Sequence, residues 1–246
     1  MIHASRHSFD SKAIAIGVWS IIDSPVVTEI ISTSGVDAIY LDLEHGQFSI
    51  SSLADCIRVA SPYCAPFVRI PKVDKELAQK VLDLGAAGII VPQITSVEQV
   101  IDACSAVELA PRGTRGFNPF TRAGDYLGNA SAAGYRPGAA TVIPIIETMK
   151  AVDVIDAIVA LPGVEIVYIG VYDLSCAVGM PGKVDHPDVL AAASKIRNSV
   201  KTAGKRIAYM VDARRPEDSD IKSMQVLKPD AFLLKQALVT RIAGTI

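Results

Sequence analysis

Short, continuously apolar runs alternate along the chain with longer segments in which apolar residues recur at helical spacing. Runs such as VIPIIE and IVYIG show no alternation of polar and apolar positions. Strands covered on both faces of a parallel sheet have this pattern, because neither face meets water. The pattern predicts eight strands, at Ala13–Gly17, Ala38–Asp42, Phe67–Ile70, Gly88–Pro92, Val142–Glu147, Ile166–Gly170, Arg206–Val211 and Ala231–Lys235.

Helices are predicted between most of these strands, and the residues at their ends agree with the assignment. Ser24-Pro25 is typical of a helix start. Gly35, Gly85 and Gly204 follow the last turns of three segments, where glycine often ends a helix. The predicted helices are Pro25–Ser34, Ile50–Ala60, Lys75–Leu84, Val97–Ala106, Val152–Ala160 and Pro187–Ala203.

Eight strands with intervening helices favour, among the α/β folds, a closed (β/α)₈ TIM barrel that forms a single domain over residues 1–246. A dinucleotide-binding sheet would carry GxGxxG after its first strand, but VWSIIDSP stands there, and no GxxxxGK(S/T) occurs. The segment Leu109–Thr141 shows neither pattern and is rich in glycine, proline and arginine. We interpret it as an irregular insertion with a role in function or assembly.

The composition excludes several classes of function. The chain has 246 residues, 50% hydrophobic and 20% charged, so it can bury a full core without disulfides. A formal net charge of −2 provides no basic field for nucleic acid, and no apolar run is as long as a membrane span. The four cysteines include no CxxC pair. We expect a cytoplasmic protein that binds neither nucleic acid nor membrane.

Polar side chains lie at the ends of most of the predicted strands. In a parallel barrel all strands end at the same rim, and the functional groups of such folds collect there. Packing alone does not explain why apolar runs should each end in a polar residue at one rim. The set comprises Trp19, Asp42, Glu44, His45, Arg69, Gln93, Glu147 and Asp173.

Glu147 and Asp173 are the candidate metal ligands. Glu147 directly follows VIPII, and Asp173 lies three residues after YIG, so on neighbouring strands their carboxylates would converge. Two hard oxygen ligands, with water and substrate in the other positions, suit Mg²⁺ or Mn²⁺, whereas without a cation the two charges repel each other. The alternatives are solvated loop positions for both residues, or a helix N-cap at Asp173.

The motif LDLEHG places Asp42, Glu44 and His45 at the tip of the second strand. A neighbouring carboxylate can orient an imidazole and raise its pKa for acid–base catalysis, although a lone histidine is often structural. Arg69 ends the third strand, and its planar guanidinium matches a carboxylate or an oxo acid; an internal salt bridge is the alternative. Gly170 ends the sixth strand, where free backbone amides can approach an anion.

These motifs resemble the HpcH/HpaI aldolase/citrate lyase family, in particular its metal-dependent 4-hydroxy-2-oxoheptanedioate (pyruvate) aldolases. The resemblance covers nearly the whole chain. It rests on GVWSIIDSPVVTEI, GVDAIYLDLEHG, FVRIP, LDLGAAGIIVPQI, PRGTRGFNPFTRAGDY, IIET and YIGVYDLSCAVGMPG. It implies a barrel of the phosphoenolpyruvate/pyruvate-binding type that forms a homo-oligomer, a hexamer in the family.

The resemblance also implies a role for each candidate residue. Glu147 and Asp173 match the ligands of a divalent metal, Mg²⁺ or Mn²⁺, with Co²⁺ as a further candidate. Arg69 matches the arginine that holds the oxo acid, and Asp42 and His45 match the pair that exchanges protons through a water. The implied substrate-binding residues are Trp19, Arg69, Gly170, Val171 and Tyr172.

The implied activity is that of a class II pyruvate aldolase, a carbon–carbon lyase. The enolate of metal-bound pyruvate combines with an aldehyde, or a 4-hydroxy-2-oxo acid is cleaved in the reverse direction. The small-molecule partners are then a 2-oxo acid and an aldehyde. Three alternatives stay open: a citrate-synthase-like or acyl-CoA-dependent condensing lyase of the same superfamily, a barrel that binds a metabolite without turnover, and a class I aldolase that uses Lys235 at the end of the predicted eighth strand.

Two features of the site differ from the family pattern. Ile145 stands where the family often has a glutamine, so one polar contact to the substrate is not expected here. The family's Gly-Pro-x-Asp turn reads Gly170-Val171-Tyr172-Asp173, so we expect Tyr172 to narrow the mouth of the barrel. Both differences bear on the choice of substrate.

Overall fold

The eight strands of the computed structural model close into a barrel in chain order, and the last strand pairs with the first. The structure describes residues 11–127, 140–213 and 220–245. All strand pairs are parallel, so the predicted (β/α)₈ TIM barrel is confirmed. The strands are β1 Ile14–Ser20, β2 Ala38–Asp42, β3 Ala65–Arg69, β4 Gly88–Val91, β5 Thr141–Ile146, β6 Ile166–Ile169, β7 Arg206–Met210 and β8 Ser223–Leu227.

Helices on the outside connect the strands of the barrel. Ser24 caps the first helix as predicted, and Gly35, Gly85 and Gly204 have positive φ angles at helix ends. In the described part of the chain, no helix is both long and apolar enough to cross a membrane. The helices are α1 Pro25–Thr33, α2 Ile50–Ala60, α3 Lys75–Asp83, α4 Val97–Val107, α5 Met149–Asp153, α6 Ile155–Val159, α7 Val171–Ala177, α8 Pro187–Thr202 and α9 Asp230–Ala243.

The strands bury side chains on both faces, which accounts for their continuous apolar runs. On β2, Ala38 and Tyr40 belong to the core inside the barrel, whereas Ile39 and Leu41 belong to the core between strands and helices. All four side chains are fully buried. The interior of the barrel is therefore a packed core, and barrels of this kind carry their sites at the carboxyl end of the strands.

The predicted eighth strand is wrong: residues 231–235 lie in α9, and the strand is β8. Met224 and Val226 of β8 point into the barrel, while Ser223 and Gln225 occupy the alternate positions. This alternation does not match the continuous apolar run that marks the other strands. Lys235 is consequently an exposed residue of α9, so the class I aldolase alternative loses its strand-end lysine.

The predicted insertion at 109–141 falls partly on residues 128–139, which lie outside the described residues. The described part, up to residue 127, is irregular apart from a 3₁₀ segment at Arg122–Leu127, which Asp125 and Tyr126 interrupt with positive φ angles. It is attached to α3, because Arg115 pairs with Asp83 at 2.9 Å and the Gly116 amide donates to the Gln79 side chain at 3.0 Å. The single domain over 1–246 stays a prediction.

Asp230 joins the start of α9 to the end of β1. Its buried carboxylate accepts hydrogen bonds from the Ser20 hydroxyl at 2.8 Å and from the amides of Ile21 and Ile22 at 3.0 and 3.2 Å. We expect Asp230→Ala to lower the free energy of unfolding by about 3 kcal/mol, because buried donors lose their acceptor. Urea denaturation measures this, and Asp102→Ala on the exposed face of α4 is the control. Equal effects of the two substitutions would contradict the prediction.

Candidate active site

A cavity of about 280 Å³ opens at the carboxyl end of the barrel. Nine of the predicted residues line it: Trp19, Asp42, His45, Arg69, Glu147, Gly170, Val171, Tyr172 and Asp173, whereas Glu44 and Gln93 do not. The rest of the wall is largely apolar and consists of Ile21, Ile145, Tyr168, Ile169, Met210 and Pro229. A larger groove of about 700 Å³ lies outside the barrel, along α2, α3 and the 3₁₀ segment. None of the site residues predicted from the sequence lines this groove.

Arg69 is fixed between two carboxylates. Asp42 and Arg69 are register partners on β2 and β3, so their side chains leave the barrel rim together. The Arg69 Nε donates to Asp42 Oδ1 at 2.8 Å, a second guanidinium nitrogen contacts Oδ2, and a third lies 3.0 Å from Glu44 Oε2. The internal salt bridge therefore forms, and the guanidinium still lines the cavity.

The aromatic wall beside Arg69 consists of Trp19 and Tyr168. The guanidinium carbon lies 4.6 Å from the centre of the indole, a cation–π distance. Burial favours the neutral form of Arg69, but the hydrogen bond and charge of Asp42, together with Glu44, outweigh it and raise the pKa of Arg69 above its ordinary value. A permanent positive charge thus faces the cavity.

His45 projects from a tight turn after β2. Asp42 Oδ1 accepts the backbone N–H groups of Glu44 and His45 at 2.9 and 3.2 Å, and any Cβ at Gly46 would collide with the Asp42 carbonyl oxygen. Asp42 thus holds the backbone of His45 and does not contact its imidazole. The carboxylate beside the imidazole is that of Glu44, 3.8 Å from Nε2. The imidazole is 70% exposed and is accessible to a water or a substrate hydroxyl.

Glu147 is held by Gln93, whose role the sequence did not reveal. Glu147 Oε1 accepts the backbone N–H of Gln93 at 2.6 Å and its side-chain amide at 3.0 Å. Gln93 has a φ of 54°, a left-handed conformation that costs a non-glycine residue energy. Burial raises the pKa of Glu147 to about 7; the Gln93 amide opposes this shift, whereas Asp173 and Glu44 add to it.

The second oxygen of Glu147 faces Gly170. A Cβ at Gly170 would stand 2.7 Å from Glu147 Oε2 and 2.6 Å from its Cβ, so only glycine leaves this space open. Asp173 lies on the same side, in the first turn of α7. The N-cap of α7 is Gly170, so Asp173 is not the N-cap that the sequence left as an alternative.

The residues around Glu147 fit a divalent cation. Glu147 and Asp173 line the same cavity and repel each other. Among the described lining residues, Arg69 is the only one with a permanent positive charge, and it is already paired with Asp42. Within residues 11–127, 140–213 and 220–245, no three His, Cys, Asp or Glu side chains form a complete metal site. An ion at Glu147 and Asp173 would take its remaining ligands from water and substrate, as Mg²⁺ commonly does.

Comparison with known proteins assigns the chain to a family. The model of the HpcH/HpaI aldolase/citrate lyase family matches residues 15–222. A 5-keto-4-deoxy-D-glucarate aldolase of Shigella boydii is 30% identical over 210 residues, which cover 83% of this chain and 82% of the relative. The enzyme of the same name from Enterobacter sp. strain 638 is 31% identical over 216 residues, with the same coverage.

Solved structures show the same fold. An HpcH/HpaI aldolase/citrate lyase family protein from Burkholderia cenocepacia superposes with a TM-score of 0.90 at 23% identity, over 98% of both chains. The citrate synthase SbnG superposes with a TM-score of 0.84 at 26% identity, over 100% of this chain and 98% of its own.

The curated relatives confirm the expected enzyme class, a carbon–carbon lyase of the class II aldolase type. Class II aldolases of this family depend in general on a divalent metal, in agreement with the acidic side chains at the cavity. The fold, the family model and the relatives all point to one assignment. The chain belongs to the HpcH/HpaI aldolase/citrate lyase family.

Proposed function

We propose that this protein is a divalent-metal-dependent aldolase that cleaves or forms 4-hydroxy-2-oxo acids, with pyruvate and an aldehyde as the two fragments. One observation carries the proposal: Arg69 and the carboxylates of Glu147 and Asp173 meet in one cavity. The relatives' names support it. Numbered from its keto end, 5-keto-4-deoxy-D-glucarate has an oxo group beside a carboxylate and a hydroxyl two carbons further on, which is a 4-hydroxy-2-oxo acid.

Glu147 and Asp173 are the proposed ligands of the metal, Mg²⁺ or Mn²⁺, with Co²⁺ as a third candidate. Both are hard carboxylate ligands. A hydrogen bond from Gln93 holds Glu147 in place, and the missing side chain of Gly170 leaves room for its carboxylate. When bound, a divalent ion would polarise the oxo group of the substrate and make the adjacent carbon acidic.

The side chains around the cavity account for the remaining chemistry. In cleavage, His45 accepts the proton of the 4-hydroxyl group through a water, and the bond between C3 and C4 breaks as the aldehyde forms. The electron pair of that bond stays on the pyruvate fragment, where the positive charge of Arg69 stabilises the developing enolate. A proton from solvent then completes the methyl group. Aldol formation reverses these steps.

A condensing lyase that makes a citrate-like product is the second candidate. The observation in its favour is the likeness to the citrate synthase SbnG, at 26% identity over the whole chain. Such an enzyme also passes through an enolate, but the enolate forms from the acyl donor and attacks the oxo carbon of the bound oxo acid. Pyruvate offered with a panel of aldehydes, and oxaloacetate offered with acyl-CoA donors, separates the two reactions by the product formed.

We further propose that the protein is a homo-oligomer, a hexamer by analogy with its family. The supporting observation is α9, of whose fourteen residues only Asp230 is buried. The helix nevertheless carries Leu234, Leu238 and Ile242 at four-residue spacing on one face, and 55 to 57% of each residue is exposed. A monomer rarely exposes such a continuous apolar row, and a second copy of the chain would cover it.

The proposed function predicts hydrogen exchange at pyruvate. With Mg²⁺ or Mn²⁺, the protein is expected to replace the methyl protons of pyruvate by deuterium from heavy water, because enolate formation needs no aldehyde. Proton NMR measures the exchange, and a chelator should stop it until metal is restored. Exchange that is absent with Mg²⁺, Mn²⁺ and Co²⁺ would contradict the aldolase and favour a barrel that binds a metabolite without turnover.

A further inference from the structure

Tyr168 lies on the cavity wall but takes no part in the chemistry described above. It belongs to β6, its ring lies in the interior core of the barrel, and its register partner on β5 is Ile145. Both residues line the cavity, so β5 contributes an aliphatic side chain and β6 a phenol to the same part of its wall. The Tyr168 side chain is almost completely buried, which makes the position of its hydroxyl group well defined.

The Tyr168 hydroxyl has a proton that no described residue accepts. The indole Nε1–H of Trp19 donates to the Tyr168 oxygen at 3.1 Å, and this is the only hydrogen bond that the phenol makes within the described residues. A phenol oxygen can accept this bond and still donate its own proton. Burial raises the pKa of Tyr168 to about 12, so the hydroxyl stays protonated at neutral pH. A buried donor without an acceptor is costly, and because Tyr168 lines the cavity, a molecule bound there can supply the acceptor.

The same hydroxyl group supports the residues that face the substrate. Trp19 lies between Tyr168 and Arg69: its ring stands edge-on to Tyr168 at 5.7 Å, and the guanidinium carbon lies 4.6 Å from the centre of the indole. The bond from Trp19 to Tyr168 fixes the rotation of the indole, and the indole in turn covers one side of Arg69. The phenol therefore has one fixed partner in the protein and one free donor beside the proposed anion site.

We propose that Tyr168 is a substrate-binding residue whose hydroxyl donates a hydrogen bond to an oxygen of the bound 2-oxo acid. The inference rests on the proposed function, since it requires an oxo acid in the cavity. It assigns to the β5–β6 wall a polar contact that Ile145 cannot make. Binding gives the Tyr168 proton an acceptor, and this polarises the phenol oxygen, so the bond from Trp19 is expected to strengthen when the substrate is present.

The sequence offers a direct probe of this contact. Trp19 is the only tryptophan of the chain, so intrinsic tryptophan fluorescence reports on the indole bonded to Tyr168. Pyruvate is titrated, with Mg²⁺ or Mn²⁺ present, into the wild type and into Tyr168→Phe. Tyr40→Phe is the matched control, because the ring of Tyr40 also packs edge-on against Trp19, at 5.0 Å, while its buried hydroxyl makes no hydrogen bond in the described structure.

Tyr168→Phe is expected to weaken pyruvate binding about tenfold or more, as is typical for a lost hydrogen bond to a charged ligand. Tyr40→Phe should stay within about twofold of the wild type. Thermal unfolding of all three proteins establishes that they are folded. An emission shift in Tyr168→Phe without a change in pyruvate affinity would mean that the hydroxyl only supports Trp19, and would overturn the inference.

The same experiments distinguish a failure of the proposed function from a failure of the inference about Tyr168. A wild type that neither exchanges the methyl protons of pyruvate nor changes its fluorescence with any of the three metals contradicts the proposed function, and this inference with it. A wild type that does both, alongside a Tyr168→Phe variant that binds pyruvate equally well, contradicts the inference alone.

Discussion

Glu147→Gln is expected to lower the rate of pyruvate proton exchange by more than about 100-fold, because replacing a metal ligand should exceed the 10–100-fold cost of changing the residues that orient one. The neutral amide is almost the same size as the carboxylate and can still accept from Gln93. The substitution therefore removes the charge that would hold the metal, while the contact that shapes this part of the rim can remain.

Stability measurements separate loss of metal from loss of fold. In the metal-free protein, Glu147 is a buried carboxylate repelled by Asp173 and Glu44, so the neutral side chain should leave the melting temperature unchanged or higher. Added Mn²⁺ should raise the melting temperature of the wild type, since it binds only the folded state, and should leave that of Glu147→Gln unchanged. Glu165→Gln, an exposed acid just before β6, should behave like the wild type. Wild-type metal affinity in Glu147→Gln would place the metal elsewhere.

His45→Ala is expected to keep metal binding and to lose catalytic rate in the same experiments. The imidazole is exposed and is not among the proposed metal ligands, so the melting temperature should still rise with Mn²⁺. Aldol cleavage should slow by roughly 10²–10⁴-fold, the usual contribution of a general acid or base. Loss of metal binding in this variant would mean that His45 is a ligand, and would require a different proton acceptor for the 4-hydroxyl group.

The candidate residues at the rim of the barrel could be predicted from the sequence, because the functional groups of a parallel barrel follow the ends of its strands. Asp42 and Arg69 end consecutive predicted strands, and the parallel register of β2 and β3 makes them neighbours. Knowing that two strands are adjacent and parallel is enough to bring such side chains together. The convergence of Glu147 and Asp173 on one cavity follows in the same way from the ends of β5 and β6.

Features that depend on backbone direction could not be predicted from the residue pattern. Gln93 holds Glu147 from a backbone conformation with positive φ, and no neighbouring glycine marks this conformation. The turn after β2 directs Asp42 to the backbone of His45, whereas adjacency in the sequence had suggested a contact with the imidazole. Tyr168 resembled an ordinary core residue because it lies inside an apolar run.

The wrong prediction of the eighth strand has one physical cause. Predicting strands from continuous apolar runs assumes that both faces of each strand are covered, and β8 instead alternates polar and apolar residues. The same assumption made the apolar residues of α9 look like a strand, although Phe232 and Leu234 are exposed on a helix. An exposed apolar helix is unexpected within a single chain but is expected where subunits meet.

The double substitution Leu234→Lys and Leu238→Lys is expected to dissociate the oligomer. The two leucines lie four residues apart, on one face of α9, and are 55 and 56% exposed. Between subunits they would be buried, and two unpaired charges in an apolar contact cost several kcal/mol. Light scattering coupled to size exclusion measures the mass. Gln236→Lys with Thr240→Lys adds the same charge at the same spacing on another face of the helix and should keep the wild-type mass. A monomeric wild type, or a double leucine variant that keeps the wild-type mass, would mean that α9 does not mediate assembly.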